Sequence, residues 1–167
     1  VDGGNLHLRE IHPQPHQGIC ADLIATLEGF SREELDALAV ESQNRAQQAI
    51  AEGRFDRSLI TVRNEDGSIA LDREEFPRPG TTLDTLASLP TVFSEFMPTP
   101  VDDGGETFTE LVARRYPDLE INHVHHAGNS SGVVDGAAAL ILSSKNYADK
   151  AGWKPRARIK AMATVGG

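Results

Sequence analysis

Two stretches near the start of the chain carry apolar residues at helical spacing. In Gly18–Phe30 they recur every three or four positions, which predicts a short amphipathic helix. A longer helix is predicted over residues 32–52, ended by Gly53. Ser31 and Glu34 stand three positions apart at its start, the spacing of a capping box. The expected buried stripe of this helix comprises Leu35, Leu38, Ala39, Ser42, Ala46, Ala49 and Ile50.

The middle of the chain is predicted to be mostly irregular, with one hairpin and one helix. The turn sequence Asn64–Gly67 lies between Leu59–Arg63 and Ser68–Leu71, which predicts a β-hairpin. Thr107–Tyr116 has the pattern of a helix inside a loop-rich stretch. Val1–Gln17 is rich in glycine, proline and histidine, so we expect a loop there.

The last third of the chain is predicted to contain a strand, a helix and a second strand. The apolar run Ala137–Leu142 predicts a buried strand, although its periodicity also allows a short buried helix. Ser143–Gly152 predicts a helix with a serine cap and a glycine stop. Arg158–Val165 predicts the second strand, and this order implies a parallel βαβ unit.

Length and charge limit the classes of protein to consider. A chain of 167 residues suits one domain with a real hydrophobic core. A net charge of −9 argues against a general nucleic-acid binder, since phosphate binding needs a clustered positive surface. A local basic patch survives this argument, formed by Lys154, Arg156, Arg158 and Lys160.

Apolar runs and cysteine content bear on the compartment. No run approaches the roughly 18 apolar residues that suggest a membrane span, and the N-terminus is too polar for a signal peptide. Cys20 is the one cysteine, so an internal disulfide and a cysteine zinc site are both excluded. We therefore expect a protein of the reducing cytoplasm.

Histidines near the N-terminus raise the question of a metal site. His7, His12 and His16 fit no zinc-ligand spacing, and no second cysteine supports them. We expect no metal. His16 on this reasoning is either an exposed loop histidine or part of a binding surface.

A glycine-rich segment is the most distinctive part of the chain. Gly128, Gly132 and Gly136 recur every four residues, with small polar residues between the first two. Glycine lets a backbone approach a ligand closely, because it has no side chain. The alternative is a tight glycine turn that leads into a core strand.

The segment A-G-N-S-S-G-V-V-D-G-A-A-A at Ala127–Ala139 resembles the thiolase family. Thiolases are acyl-CoA acyltransferases that cleave or condense 3-ketoacyl-CoA. Three further stretches are similar to thiolases and occur in the family's order: H-Q-G-I-C-A-D-L-I-A from His16, G-F-S-R-E-E-L-D from Gly29, and R-P-G-T-T-L-D-T-L from Arg78. The resemblance therefore extends over nearly the whole chain.

This resemblance implies an α/β, thiolase-like fold. Residues 1–120 correspond to the end of the N-terminal half plus an α+β loop domain that binds coenzyme A. Residues 94–120 within it are an insertion relative to short-loop thiolases. Residues 121–167 correspond to the start of the C-terminal α/β domain, with its first βαβ elements.

The family pattern also implies which residues contact coenzyme A. It places His16 near the pantetheine, Arg78 near the adenine nucleotide and Thr85 on the pantetheine side. Phe93 would pack on the cofactor. The glycine-rich segment adds Ala127, Ser131 and Gly132. Without the resemblance, we would interpret Arg78 as a solvated arginine, Thr85 as a helix-face threonine and Phe93 as a core phenylalanine.

The family's catalytic motifs are not found in this chain. Cys20 does not match the context of the thiolase nucleophile, so we expect a buried structural thiol. His123, His125 and His126 lie outside the glycine–histidine–proline motif of the family's base. Alternation puts His123 and His125 on one face, either bordering a pocket or in a structural role. We expect no catalytic residue in this chain.

Two functions follow as hypotheses. The first is a part of a thiolase of fatty-acid metabolism, in which this chain supplies coenzyme A-binding segments and is inactive alone. The alternative is a non-catalytic acyl-CoA-binding or assembly module derived from a thiolase. Family resemblance implies an acyl-CoA substrate and a homo-oligomer, a dimer or a tetramer.

Overall fold

The computed structural model describes residues 5–12, 14–101 and 105–165. These residues fall into two compact units, which divide between Gly132 and Val133. We call them unit 1 and unit 2. The predicted boundary at 120/121 concerns the halves of the family fold and stays a prediction.

Two helices near the N-terminus form the framework of unit 1. Helix α2 spans Gln17–Glu28 and helix α3 spans Arg32–Ala51. Ser31 and Glu34 form the predicted capping box, in which each side chain accepts from the other's backbone N–H at 3.2 and 2.9 Å. The prediction of both helices and of this cap is confirmed.

The predicted buried stripe of α3 is wrong in part, since Ala49 is buried and three further members are half-buried, but three others are exposed. Leu38 is 68% exposed, and Ser42 and Ile50 are exposed as well. The buried residues of α3 are Asp36 and Ala49. The burial of Asp36, a carboxylate with hydrogen-bond partners, is a feature that apolar periodicity does not predict.

A short helix lies where a loop was predicted. Helix α1 spans Leu6–Ile11, and the side chain of Asn5 caps it by accepting from the backbone N–H of Leu8 at 3.0 Å. This cap is the local signal that the proline and histidine content obscured. Residues 1–4 and 13 of the predicted loop lie outside the described residues.

The predicted hairpin is present and lies on the surface. Strands β1, Val62–Arg63, and β2, Ile69–Leu71, pair antiparallel. Asp66 accepts hydrogen bonds from the backbone N–H and the hydroxyl of Ser68, which ties the turn together.

Unit 1 also contains short helical segments after the hairpin, separated by irregular stretches. Helix α4 spans Leu83–Ala87, a 3₁₀ turn spans Phe93–Phe96 and helix α5 spans Phe108–Ala113. Helix α5 lies inside the stretch predicted to be helical and has a capping box of its own. Residues 102–104 of the predicted insertion are outside the described part of the chain.

Unit 2 contains the predicted helix but neither predicted strand. Helix α6 spans Lys145–Lys150, with Ser144 as its cap. Ala137–Leu142 and Arg158–Val165 have no regular secondary structure, so the predicted βαβ unit is wrong for the described residues. A strand needs a neighbour to take its backbone hydrogen bonds, and the apolar side chains here remain in solvent; Leu140 is 91% exposed.

Helix length also bears on membranes. Among the helices that the structure describes, none combines the length and the apolar character needed to cross a bilayer.

Candidate functional site

The segment before the glycine-rich turn is fixed by one carboxylate. Asp22 of α2 is 0% exposed and accepts four hydrogen bonds. Its Oδ1 accepts from the backbone N–H groups of Val124 and His125, each at 3.0 Å, and lies 2.7 Å from His125 Nδ1. Its Oδ2 lies 2.6 Å from His123 Nδ1. The expectation that His123 and His125 share a face agrees with this geometry.

These contacts keep the Asp22 carboxylate charged in a buried site. Burial is the largest influence and by itself raises the pKa of Asp22. The hydrogen bonds from His123, His125 and the two backbone N–H groups together outweigh it, so the pKa lies below its ordinary value. The two histidines therefore have a structural role in binding this carboxylate.

A second buried carboxylate contacts the turn itself. Asp36 of α3 is 3% exposed and His126 is 0% exposed. Asp36 Oδ1 lies 2.8 Å from His126 Nε2 and accepts from the Nδ2 amide of Asn129 at 3.0 Å. One oxygen thus contacts two residues that enclose Ala127 and Gly128.

The turn is closed by hydrogen bonds among its own residues. Asn129 Oδ1 accepts from the backbone N–H of His126 at 2.8 Å, and its Nδ2 also donates to the carbonyl of Val124 at 3.1 Å. The Gly128 N–H donates to His126 Nδ1 at 3.1 Å. Because Nδ1 accepts, the pattern of partners assigns the proton of neutral His126 to Nε2, which donates to Asp36.

Helix α4 lies directly against the turn. A Cβ atom on Gly128 would lie 2.4 Å from Leu86 and 2.9 Å from Leu89, so only glycine fits this contact without movement. The guanidinium of Arg32 donates to three carbonyl groups at the end of α4, those of Leu86, Ala87 and Leu89. Its Nε lies 3.6 Å from Asp36 Oδ2.

His16 belongs to an aromatic cluster. Its ring stacks on Phe96 at 4.7 Å between centroids and lies 5.5 Å from Phe93 and 6.4 Å from Phe108. Its Nδ1 accepts from the Gly18 N–H at 3.1 Å, which makes it the N-cap of α2. The structure therefore brings together two of the predicted coenzyme A residues, His16 and Phe93.

The remaining predicted residues lie on the surface around α4 and the turn. Thr85 is exposed, and its hydroxyl accepts from Thr82 N–H at 3.0 Å in the capping box of α4. Arg78 is exposed, and its backbone N–H donates to Gln43 of α3 at 2.8 Å. Thr85 and Ala127 are the sequence neighbours of Leu86 and Gly128, which touch each other.

Ser131 and Gly132 end unit 1. Both are exposed. A Cβ atom on Gly132 would lie 2.2 Å from the Phe76 ring, and Phe76 precedes Arg78 by two positions. The glycine-rich segment thus contacts both α4 and the stretch that carries Arg78.

Cys20 is a partly exposed thiol rather than a fully buried one. Its Sγ lies 3.9 Å from the carbonyl of Pro15, and burial raises its pKa. A raised thiol pKa disfavours the thiolate that a nucleophile needs.

Sequence reasoning missed the two buried aspartates and Arg32. Asp22 lies inside an apolar helical run, and Asp36 lies on the face of α3 that packs inward. A charged residue in such a place is a signal, because a carboxylate is buried only with partners. The histidine and asparagine partners of the two aspartates lie 90 to 103 positions away and have no local signature.

His123 and His125 lie close to one carboxylate, and imidazole and carboxylate groups are common metal ligands. Within the described ranges, no group of three or more His, Cys, Asp or Glu side chains is arranged to hold a metal ion. The Nδ1 atoms of His123 and His125 are instead occupied by Asp22.

Comparison with known proteins gives one family. The family model described as thiolase, N-terminal domain, matches residues 5–99. An acetyl-CoA acetyltransferase from Thiocystis violacea is 35% identical over 99% of this chain and 35% of its own length. A beta-ketoadipyl-CoA thiolase from Pseudomonas aeruginosa is 37% identical over 93% of this chain and 32% of its own length.

A 3-ketoacyl-CoA thiolase from Aeromonas hydrophila is 34% identical over 89% of this chain and 33% of its own length. The chain thus spans about a third of the length of the curated relatives it matches. Because the family model matches more than half of the 167 residues, the chain belongs to the thiolase family and has a thiolase-like fold.

Proposed function

We propose that this chain supplies coenzyme A-binding segments of a thiolase that cleaves or forms 3-ketoacyl-CoA in fatty-acid metabolism. Membership of the thiolase family supports an acyltransferase. The matched relatives are named acetyl-CoA acetyltransferase and 3-ketoacyl-CoA thiolase, which act on CoA-linked substrates by name. That this chain contributes binding segments to such an enzyme is part of the proposal.

One observation carries the binding role. In the described chain, the backbone N–H groups of Ser130, Ser131 and Gly132 have no hydrogen-bond partner. They follow a turn that Asp36 and α4 hold in place. Consecutive free N–H groups beside exposed hydroxyls are suited to an acceptor-rich ligand such as the amide and phosphate groups of coenzyme A.

We assign the covalent step to residues other than those of this chain. Acyl transfer by a thiolase needs an activated thiolate, and burial raises the pKa of Cys20. The chain alone is therefore inactive on this proposal. Action in the cytoplasm and as a homo-oligomer belongs to it as well, on the strength of the lone cysteine and the family resemblance.

Calorimetric titration of coenzyme A into the 167-residue chain tests the binding role. Arg78→Ala and Ser131→Ala are expected to weaken binding by about tenfold each, the loss of one charge-assisted or backbone-supported contact. Arg57→Ala and Ser143→Ala remove exposed side chains of the same types and serve as controls. Unchanged affinity in both test variants overturns the assignment of these residues.

A second measurement separates the enzyme from the non-catalytic alternative. Thiolysis of acetoacetyl-CoA is followed with the polypeptide that carries this sequence in its complete reading frame. Turnover supports the enzyme, whereas coenzyme A binding without turnover supports the acyl-CoA-binding module.

A further inference from the structure

We infer that Asp36 is a positioning residue, which holds the turn Ala127–Gly132 in the conformation that receives coenzyme A. This inference rests on the proposed function. Asp36 lies on α3 and is 3% exposed, so it does not contact a bound ligand itself. It acts through two side chains that belong to the turn, His126 and Asn129.

Asp36 fixes the orientation of the Asn129 side chain. The Nδ2 group of Asn129 carries two protons, which go to Asp36 Oδ1 at 3.0 Å and to the Val124 carbonyl at 3.1 Å. With both protons used, Asn129 Oδ1 faces the His126 N–H and accepts from it at 2.8 Å. The orientation of the Asn129 amide therefore depends on the Asp36 carboxylate. Asn129 directly precedes the free N–H groups of residues 130–132, so its orientation fixes where they begin.

The same carboxylate fixes the ring of His126. Asp36 Oδ1 accepts from His126 Nε2 at 2.8 Å, which leaves Nδ1 to accept from the Gly128 N–H at 3.1 Å. The other tautomer, protonated on Nδ1, would present a donor to that N–H group. Asp36 thus sets the ring orientation and tautomer of His126 that the Gly128 N–H contacts.

Arg32 connects Asp36 to helix α4, which lies against the other side of the turn. Arg32 Nε lies 3.6 Å from Asp36 Oδ2, and the other end of its guanidinium donates to carbonyls at the end of α4. Leu86 of α4 lies under Gly128. Both supports of the turn therefore meet at one buried carboxylate.

Asp22 provides an internal comparison. It is also a buried carboxylate that binds histidines, but it contacts residues 123–125, which precede the turn. It contacts none of the predicted coenzyme A residues. A purely structural role predicts similar consequences for removing either carboxylate, whereas a positioning role predicts different ones.

The test compares Asp36→Leu with Asp22→Leu in the 167-residue chain. Two quantities are measured: the dissociation constant for coenzyme A, and the hydrogen-exchange rates of the His126, Gly128 and Asn129 amides. Asp36→Leu is expected to raise both by about tenfold or more, the effect of losing one to two buried hydrogen bonds. Asp22→Leu is expected to lower the melting temperature with less than about threefold change in coenzyme A affinity.

Two gentler substitutions keep the test decisive if Asp36→Leu does not fold. Asp36→Asn keeps an oxygen for both donors and is expected to restore most of the affinity. Asn129→Ala removes the amide that donates to Asp36 and to the Val124 carbonyl, and it is expected to weaken coenzyme A binding. Asn122→Ala, whose side chain is exposed, is its control. Equal changes in affinity and exchange for the Asp36 and Asp22 variants, or for the two asparagine variants, overturn the inference.

The two arms also separate this inference from the proposed function. If the wild-type chain binds no coenzyme A, the proposed binding role fails. The exchange rates of the three amides still decide whether Asp36 holds the turn.

Discussion

The Nε2 atom of His126 lies 2.8 Å from Oδ1 of Asp36, a residue ninety positions earlier in the chain. Both side chains are buried. The second ring nitrogen of His126 accepts from the Gly128 N–H, so each nitrogen has a partner. This pair joins helix α3 to the glycine-rich turn.

Removing this histidine is expected to destabilise unit 1 strongly. His126→Ala leaves the Asp36 carboxylate short of a partner in a buried site, which costs about 2–4 kcal/mol of unfolding free energy. Urea denaturation measures it. His123→Ala is the control, because Asp22 keeps three other hydrogen bonds. An equal loss in both variants contradicts the special role of the His126 contact.

Asp22 makes the stability of unit 1 depend on acid. Its pKa is lowered in the folded chain, so its contribution is complete above its unfolded value of about 3.9 and is lost as pH falls through the folded value. The difference in unfolding free energy between wild type and Asp22→Asn is therefore expected to be largest near pH 6 and to shrink below about pH 4. A constant difference across that range argues against the lowered pKa.

Gly128 is expected to tolerate no side chain. An added Cβ atom meets buried Leu86 at 2.4 Å, so Gly128→Ala should cost about 1–3 kcal/mol through overpacking. Gly136→Ala meets nothing within 4 Å and is expected to change stability by less than about 0.5 kcal/mol. Thermal or urea unfolding of the pair measures the contrast, and similar values for both would contradict the packing of α4 on the turn.

The cap of α3 is a local device with a local cost. Ser31→Ala removes the acceptor for the Glu34 N–H and should cost about 1 kcal/mol. Ser42→Ala, at an exposed position inside the same helix, is expected to be neutral or slightly stabilising, because alanine favours helices. Urea denaturation of both variants checks the prediction, which fails if the two serines behave alike.

Cys20 is expected to react slowly with alkylating reagents. Burial raises its pKa, so less thiolate is present at pH 7 than for an unperturbed cysteine. The rate of iodoacetamide modification, measured against a free cysteine peptide from pH 6 to 10, should be lower and should rise only at higher pH. Faster modification than that of the peptide would contradict the raised pKa and make Cys20 a candidate nucleophile.

Local features of unit 1 were readable from the sequence. The capping box at Ser31 and Glu34, the glycine end of α3 and the turn at Asn64–Gly67 each depend on residues a few positions apart. Such short-range chemistry predicts an element without knowledge of the rest of the fold.

The contacts that build the candidate site were not readable in this way. Asp22 and His123 are 101 positions apart, and Asp36 and Asn129 are 93 apart. No residue near either aspartate in the sequence indicates which distant residue is its partner. The stripe predicted for α3 was wrong at Leu38, Ser42 and Ile50, because apolar periodicity does not show which positions another element covers.

The strands predicted in unit 2 illustrate a different limit. An apolar run shows that a segment prefers burial, but a strand also requires a neighbouring strand. Ala137–Leu142 has the first property, and no strand pairs with it among the described residues.

The long separation between the aspartates and their partners has a consequence for synthesis on the ribosome. Asp22 and Asp36 emerge about a hundred residues before their partners His123, His126 and Asn129. Growth at about 5–20 residues per second makes this interval about 5–20 seconds. During it Asp22 and Asp36 have to remain hydrated, since an unpaired carboxylate is not buried. The two helices can therefore form early, but their final docking must wait until residue 129 has left the exit tunnel.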